Sequence, residues 1–487
     1  MQPRIEFLSR DLVGRVLDEA FQLIAAHGVK VQHEEARALL SDAGVRVDCE
    51  DEIAYIPQAV AQQALHTVPH EFWLHNRAGE PVIRYGGDAV HFDPGSSGVH
   101  MFNAVALAHP PSTTRDLARV VRLVEMLPQY DAQSTAILCN DVPKEIGDLF
   151  RLYVVLRLSQ KPIVTGAFAS QTTQSMIDML TIFAGGREAL QAKPQAVFDV
   201  CPSPPLIWSQ FGAQNLIDLA RAGVPAEIVS MPLSGAAGPV TLIGSVVQHA
   251  AECISGIVIH QLARPGAPVI WGGAPAIMDM RTGTTPMGAI ETAILDAAYT
   301  QVGKSLNFPT HTYLGASDAK LIDAQAGFES GMTALVGALA GTNMVSGAGM
   351  LDFLQSQSLE KLVIDAEIIG MAKRLLQGVM IHTGTLGLEF FEGIAFKGEF
   401  LKQKATGQLF AREQYIPSAV VDRGSVRAWE QNGKLDAVAR ARQRVDDLLG
   451  EYAPPLLPEG QIAALDELVG SLAKQVGMDA LPDVLTI

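Results

Sequence analysis

Residues 307–352 read NFPTHTYLGASDAKLIDAQAGFESGMTALVGALAGTNMVSGAGMLD, a succession of strand, polar loop, helix, strand and polar loop. Leu306–Phe308 and Asn343–Val345 are short runs of the kind expected of strands covered on both faces. Between them, Asp323–Ala340 repeats small and apolar residues at helical spacing and opens on an acid suited to cap a helix N-terminus. His311, Tyr313, Asp318 and Lys320 follow the first strand, and Ser346 and Phe353 follow the second. Ligands in parallel α/β folds sit at that end of the strands, so these loops carry the candidate chemistry.

The same rhythm extends outward. Strands are expected at Met101–Val105, Ala132–Leu138, Ile163–Ala167, Ala196–Val200, Glu227–Ser230 and Val269–Trp271. They lead to helices at Thr114–Met126, Lys144–Leu158, Gln171–Phe183, Phe211–Ala222, Thr241–Ala263 and Met287–Val302, and the last strand leads to Leu359–Gln377. About eight such units in one uninterrupted series predict an α/β chain folded as a (β/α)8 TIM barrel, with an open doubly wound sheet as the alternative. Residues 1–100 read as an N-terminal cap, helical from Ser9 to about Val68 and then in short strands. Residues 101–380 read as the barrel, and 381–487 as a C-terminal helical extension packed on it.

The 487 residues are 48% hydrophobic and 18% charged, enough for one large core. A net charge of −16 without any basic run argues against a nucleic-acid partner. The 4 cysteines are far apart and form no CxxC pair, which predicts a reduced, cytoplasmic protein. No cationic stretch followed by an apolar run opens the chain, so no signal peptide is expected. Thr241–Ala263 is long and apolar, but His249, Glu252 and His260 interrupt it and favour a buried helix over a membrane span. The mean hydropathy of +0.19 points to a buried subunit interface and hence a homo-oligomer.

Positions just past the expected strands are poor in acid–base groups and rich in aromatic and small residues. They include Phe102, Asn140, Asp141, Phe168, Cys201, Met231, Trp271, His311, Tyr313 and Ser346. No phosphate-binding or dinucleotide motif follows a strand. Gly95–Gly98 reads as a turn, and His249, Cys253 and His260 lack a further ligand at metal-binding spacing, so they read as core. Lys304 and Lys320 stand outside apolar strands, which disfavours Schiff-base chemistry. Trp271, Trp208, Phe211, Tyr313 and Phe353 form a candidate cage for an ammonium ion, each contact contributing about 0.5–2 kcal/mol. Taken singly, each of these rings is better read as core packing.

Three segments in order carry a resemblance: SDAKLIDAQAGFESGMTALVGALAGTNMVSGAGMLD (Ser317–Asp352), SLEKLVIDAEIIGMAKRLLQG (Ser358–Gly378) and YIPSAVVDRGSVRAWEQNGKLDAVARAR (Tyr415–Arg442). Through them the chain resembles the trimethylamine methyltransferase family over nearly its whole length. The resemblance implies a barrel with helical additions. It also implies transfer of a methyl group from a methylated amine to the Co(I) corrinoid (cobalamin) of a separate corrinoid protein, in methylamine metabolism like that of methanogenesis. Founding members carry pyrrolysine, whereas this sequence has no nonstandard residue and so resembles the branch acting on quaternary amines such as glycine betaine.

A quaternary nitrogen leaves as a neutral tertiary amine, so no catalytic acid or base is expected and the protein's task is positioning. The expected substrate contacts are His311, Tyr313, Trp271, Trp208, Phe211, Phe353, Asn140 and Ser346, with His311 the leading donor to a substrate carboxylate. Ser317, Asp318, Gly347 and Gly349 are expected to face the corrinoid, with no metal bound directly by this chain. One departure stands out: Ala395–Glu413 lacks the Gly-rich, His-containing run of many relatives, and Lys397, Lys402 and Lys404 there are candidates for altered partner or substrate choice. Two rival readings are a barrel lyase or hydrolase working through Asp141, Asp318 or Lys320, and a non-catalytic amine-binding protein.

Overall fold

The computed structural model describes residues 2–169, 172–382, 384–394, 396 and 398–485; Lys397 lies outside them. Eight parallel strands form the centre: β1 (His91–Pro94), β2 (Gln133–Ser134), β3 (Ile163–Gly166), β4 (Ala196–Val200), β5 (Ala226–Ser230), β6 (Val269–Gly273), β7 (His311–Thr312) and β8 (Met344–Ala348). β2 to β6 form one continuous ladder and β7–β8–β1 a second. A parallel bridge from Trp271 to Thr310 joins β6 to β7, and the Asp131 amide donates to Phe92 O at 2.8 Å between β1 and β2, so the sheet closes on itself. The helices between strands are α1 (Thr114–Met126), α2 (Gly147–Leu158), α3 (Thr172–Ala184), α4 (Gln210–Ala222), α5 (Leu242–Ala263), α6 (Ile290–Ser305), α7 (Ala324–Leu339) and α8 (Leu359–Leu376). This is the (β/α)8 barrel.

Two strands differ from expectation. The first is His91–Pro94 rather than Met101–Val105, because Asp93 and Pro94 break the apolar run that marks a buried strand. Met101 instead pairs with Gln357 in a small sheet at the mouth, and Asn103 turns back onto Ala108. The seventh strand is His311–Thr312 rather than Leu306–Phe308. Leu306 ends α6, Asn307 adopts a left-handed φ of 57°, and the Phe308 amide returns to Gly303 O at 3.1 Å. The apolar run there is the turn into the strand.

Register fixes what faces the lumen, since parallel partners share a face and successive residues alternate. Ala132, Val197, Ile270 and Met344 make one apolar layer, four side chains from alternate strands. Leu74, Ile83 and Tyr85 of the hairpin Phe72–Tyr85 close it from below. Following the pairs Ser134–Val164, Gly166–Asp199, Asp199–Glu227, Glu227–Ile270, His311–Met344 and Ser346–Asp93, the next layer is Asp93, Val164, Glu227 and His311. Above it come Ser134, Asp199, Gly272 and Ser346. The floor is apolar, the middle is ionisable, and small residues at three of the four positions above keep the well open.

Helix Arg10–Ala26, capped by Ser9, and helix Gln58–Thr67 pack on α5. They cover the segment apolar enough to cross a membrane: 78% of its most apolar window is buried inside the protein. Between these helices lie short strands that the sequence pattern did not suggest, of which Val29–Val31 pairs with Ile207–Trp208 beyond β4. On the opposite side, helix Ala437–Glu451 packs on α8 and α1, and helix Glu459–Gln475 on α3 and α2.

Candidate functional site

The middle layers meet in a hydrogen-bonded chain across the lumen. Ser346 donates to Asp93, leaving its oxygen to accept from His311 Nε2 at 2.6 Å. His311 Nδ1 lies 2.6 Å from Glu227 Oε2, with the Tyr85 hydroxyl at 3.4 Å. Tyr313 stacks on His311 with centroids 5.3 Å apart and points its hydroxyl at Glu227 Oε2, 3.5 Å away. With Nε2 carrying the imidazole proton, Nδ1 is an acceptor and Glu227 must donate to it as a neutral carboxylic acid.

The electrostatics agree. Burial pushes Glu227 up to about 8 against the hydrogen bonds it shares with Asp199 and Tyr313. Burial likewise raises Asp93 and Asp199 well above the carboxylate range, and it lowers His311 to about 4. At neutral pH the cluster rests uncharged. One oxygen of each carboxyl makes no hydrogen bond: Asp93 Oδ2, Asp199 Oδ1 and Glu227 Oε1. Asp199 alone of the three is not fully buried. Unpaired buried carboxyl oxygens are costly, and a small cation placed among them would compensate the charge that appears when one ionises.

Gly272 exists at its position because a Cβ would stand 2.1 Å from Glu227 Oε1. Gly347 is packed still more rigidly, its Cβ position 2.5 Å from the backbone oxygen of Leu314. Gly347→Ala is therefore expected to destabilise the fold by about 1–3 kcal/mol through overpacking between β7 and β8. Calorimetric melting checks it, and an unchanged melting temperature would show that the loop yields.

Of the residues singled out from sequence, the structure brings His311, Tyr313 and Ser346 together and sends the others elsewhere. Trp271 points outward because its strand continues to Gly273 with Ile270 and Gly272 facing in. Its indole donates to Tyr299 O at 3.1 Å and fills the space left by Gly303. Trp208 is buried against Gly256 and donates to Ser255 Oγ at 2.9 Å, and Phe211 packs on the core from α4. Phe353 is half-buried with Lys320 Nζ 3.7 Å from its ring centroid, and Lys320 also pairs with Asp352 at 3.3 Å. The five-ring cage is not assembled. Asn140 is exposed and donates to Ser112 O at 3.0 Å.

Ser317 donates to Glu329 at 2.6 Å, while Asp318 accepts from the Met287 and Gly288 amides at 2.8 and 3.0 Å and is pushed up to about 6 by burial. The Gly349 amide donates to Asp365 at 2.6 Å. Asp141 caps α1 by accepting from Thr114 N at 2.8 Å, Lys402 pairs with Glu399 on the surface, and Lys404 opens helix Lys404–Glu413.

Asp93, Asp199 and Glu227 lie within strands and Tyr85 in the hairpin below them, not at the positions past the strands from which the sequence reading drew its candidates. The signal of the three acids is a carboxyl inside an otherwise apolar strand, in HFDP, AVFDV and AEIVS. Around the mouth, Val105, Leu107, Phe168, Met231, Val240, Met280 and Leu321 stand exposed on loops after β1, β3, β5, β6 and β7. Among the described residues, no group of His, Cys, Asp and Glu has the geometry to hold a metal ion.

The family model for Trimethylamine methyltransferase (MTTB) matches residues 1–477. The chain belongs to the trimethylamine methyltransferase family. Trimethylamine methyltransferase MttB of Desulfitobacterium hafniense is 29% identical over 93% of this chain and 90% of its own length. The glycine betaine methyltransferase of Desulfitobacterium hafniense strain Y51 is 28% identical over 98% of each. MttB of Methanosarcina thermophila is 32% identical over 87% of this chain and 89% of its own. Among solved structures, the Methanosarcina barkeri monomethylamine methyltransferase MtmB covers 91% of this chain and 94% of its own at 11% identity and a TM-score of 0.48. The chain is a member of a family of methyltransferases, and its own barrel is closed and acid-lined.

Proposed function

We propose that this protein transfers a methyl group from a quaternary amine of the glycine betaine type to the Co(I) corrinoid of a separate protein. The observation that carries the reading is the set of carboxyl groups with unpaired oxygens around His311, deep in the barrel. A quaternary ammonium donates no hydrogen bond and is held by charge and by aromatic faces. Asp199 and Glu227 supply the charge, Tyr313 and Tyr85 the rings. His311 holds Glu227 in place, and Ser346 ties His311 to Asp93.

Loss of the methyl leaves a neutral amine, so a permanently ionised site would hold substrate better than transition state. Carboxyls poised to take back a proton avoid that: as the substrate's charge leaves, Glu227 recovers from solvent the proton given up on binding and restores its hydrogen bond to His311. The apolar rim at the mouth suits docking of the corrinoid protein, which would bring the cobalt. The lyase or hydrolase reading loses its residues, because Asp141, Asp318 and Lys320 serve separate structural contacts.

The test is absorbance of photoreduced Co(I) corrinoid mixed with purified protein and glycine betaine, carnitine, proline betaine, choline or trimethylamine in turn. Loss of the Co(I) band with a quaternary amine is expected. Silence across the set, with binding still seen by calorimetry, would leave a non-catalytic amine-binding protein.

A further inference from the structure

A betaine carries a carboxylate as well as an ammonium, and the donors proposed for it from sequence are committed. His311 is engaged at both ring nitrogens, the Ser346 hydroxyl goes to Asp93, and the Asn140 amide bonds the backbone on the surface. The acid cluster would also repel a second carboxylate. The far end of a zwitterion needs a cation with free N–H groups outside that cluster.

Arg151, from the first turns of α2, is fully buried. Its Nη1 donates to Thr135 O at 2.9 Å and to Ser97 Oγ at 3.0 Å. The ladder between β2 and β3 ends at Ser134–Val164, so Thr135 O lies where the two strands part and the guanidinium fills that gap in the barrel wall. Nε makes no hydrogen bond, and Nη2 has only Asp148 at 3.5 Å. Asp148 Oδ2 accepts from the Phe168 and Ala169 amides at 2.5 and 3.0 Å, which leaves Oδ1 as the counter-charge facing Nη2.

The Phe168 ring links this guanidinium to the carboxyl cluster. Arg151 Cζ is 5.3 Å from the centroid of Phe168. That ring and Asp199 both abut Gly166, at 3.7 and 3.4 Å from where a Cβ would stand. Gly166 thus places no side chain between Asp199 and the exposed Phe168 ring that covers the guanidinium. Asp199 is among the charges that Arg151 feels. A buried guanidinium with uncommitted N–H groups is costly unless a ligand completes it, and its planar fork matches a carboxylate.

We propose that Arg151 is a specificity-determining residue that binds the carboxylate of a zwitterionic quaternary amine whose ammonium lies against Asp199 and Glu227. The inference rests on the quaternary-amine reading above and narrows it to betaines over choline or simple amines. It separates this site from one built for trimethylamine, which offers nothing for Arg151 to hold.

Calorimetric titration of glycine betaine, choline and tetramethylammonium into the parent, Arg151→Met and Arg151→Lys tests it. A hydrogen bond to a charged group contributes about 1.5–3 kcal/mol, so Arg151→Met should weaken glycine betaine about 10- to 100-fold. Choline and tetramethylammonium should shift by less than about threefold, the spread of context around such contacts. Arg151→Lys, which keeps the charge without the fork, should fall between the two for glycine betaine and serves if the methionine variant does not fold. Equal losses for all three ligands would reduce Arg151 to a structural role, and undiminished betaine binding would remove it from the site. If none of the three binds the parent protein, the quaternary-amine reading itself fails. If all three bind the parent equally well and Arg151→Met changes none of them, only the Arg151 inference fails.

Discussion

Glu227→Gln loses affinity for a quaternary ammonium by about a hundredfold and, at pH 8, melts at a higher temperature than the parent. The first effect follows from charge. Glutamine can still donate to His311 Nδ1, so the resting hydrogen bond survives, but it cannot ionise against a bound cation. Removing one partner of a buried charge pair costs about 2–5 kcal/mol, which brackets the expected loss.

The second effect follows from proton linkage. The folded carboxyl titrates near 8, against an ordinary 4.5, so between those values the folded state binds more protons than the unfolded state. Stability contributed by this group therefore falls as pH rises from about 4.5 to about 8, and glutamine escapes that loss. The melting difference should be present at pH 8 and vanish near pH 4.5. Binding undiminished in the variant, or a variant less stable than the parent at pH 8, would displace Glu227 from the role given to it.

Binding itself should release a proton. The free cluster is neutral at pH 7 because burial holds Glu227, Asp93 and Asp199 in their acid forms. A permanently cationic ligand is stabilised only against an ionised carboxylate, so entry of the ammonium expels one proton from the cluster as a whole. Affinity should then rise about tenfold per pH unit from 6 to near 8 and level off above, the slope required for release of a single proton. The other groups facing the cluster do not change charge in that window. His311 titrates near 4, and burial lifts the Cys201 thiol and the Tyr85 and Tyr313 hydroxyls well above their ordinary values. Arg151 stays cationic, held by Asp148. Titration calorimetry at pH 7 in two buffers of different ionisation enthalpy reads the released proton directly. Heats independent of buffer, together with a flat affinity from pH 6 to 8, would mean that a carboxylate is already ionised in the free protein.

The residues by themselves determined the repeating strand–helix units and therefore the barrel, because hydrophobic periodicity and helix caps are local properties of a few consecutive residues. They also placed His311, Tyr313 and Ser346 in one site. These belong to β7 and β8, which are consecutive in the chain and adjacent in the sheet, so nearness in sequence stood in for nearness in space.

Three things were left to the tertiary structure. Closure set β1 beside β8, which brought Asp93 to Ser346 across 253 residues of chain. Register set Asp199 beside Glu227, since a run such as AVFDV reads the same whichever face its acid takes. The pleat also decided the aromatic residues: continuing β6 to Gly273 turns Trp271 out into the helical layer and Gly272 in beside Glu227. A shift of one residue exchanges every side chain between lumen and core. Chain composition carries no record of that phase, and only packing against the closed floor of the barrel selects it.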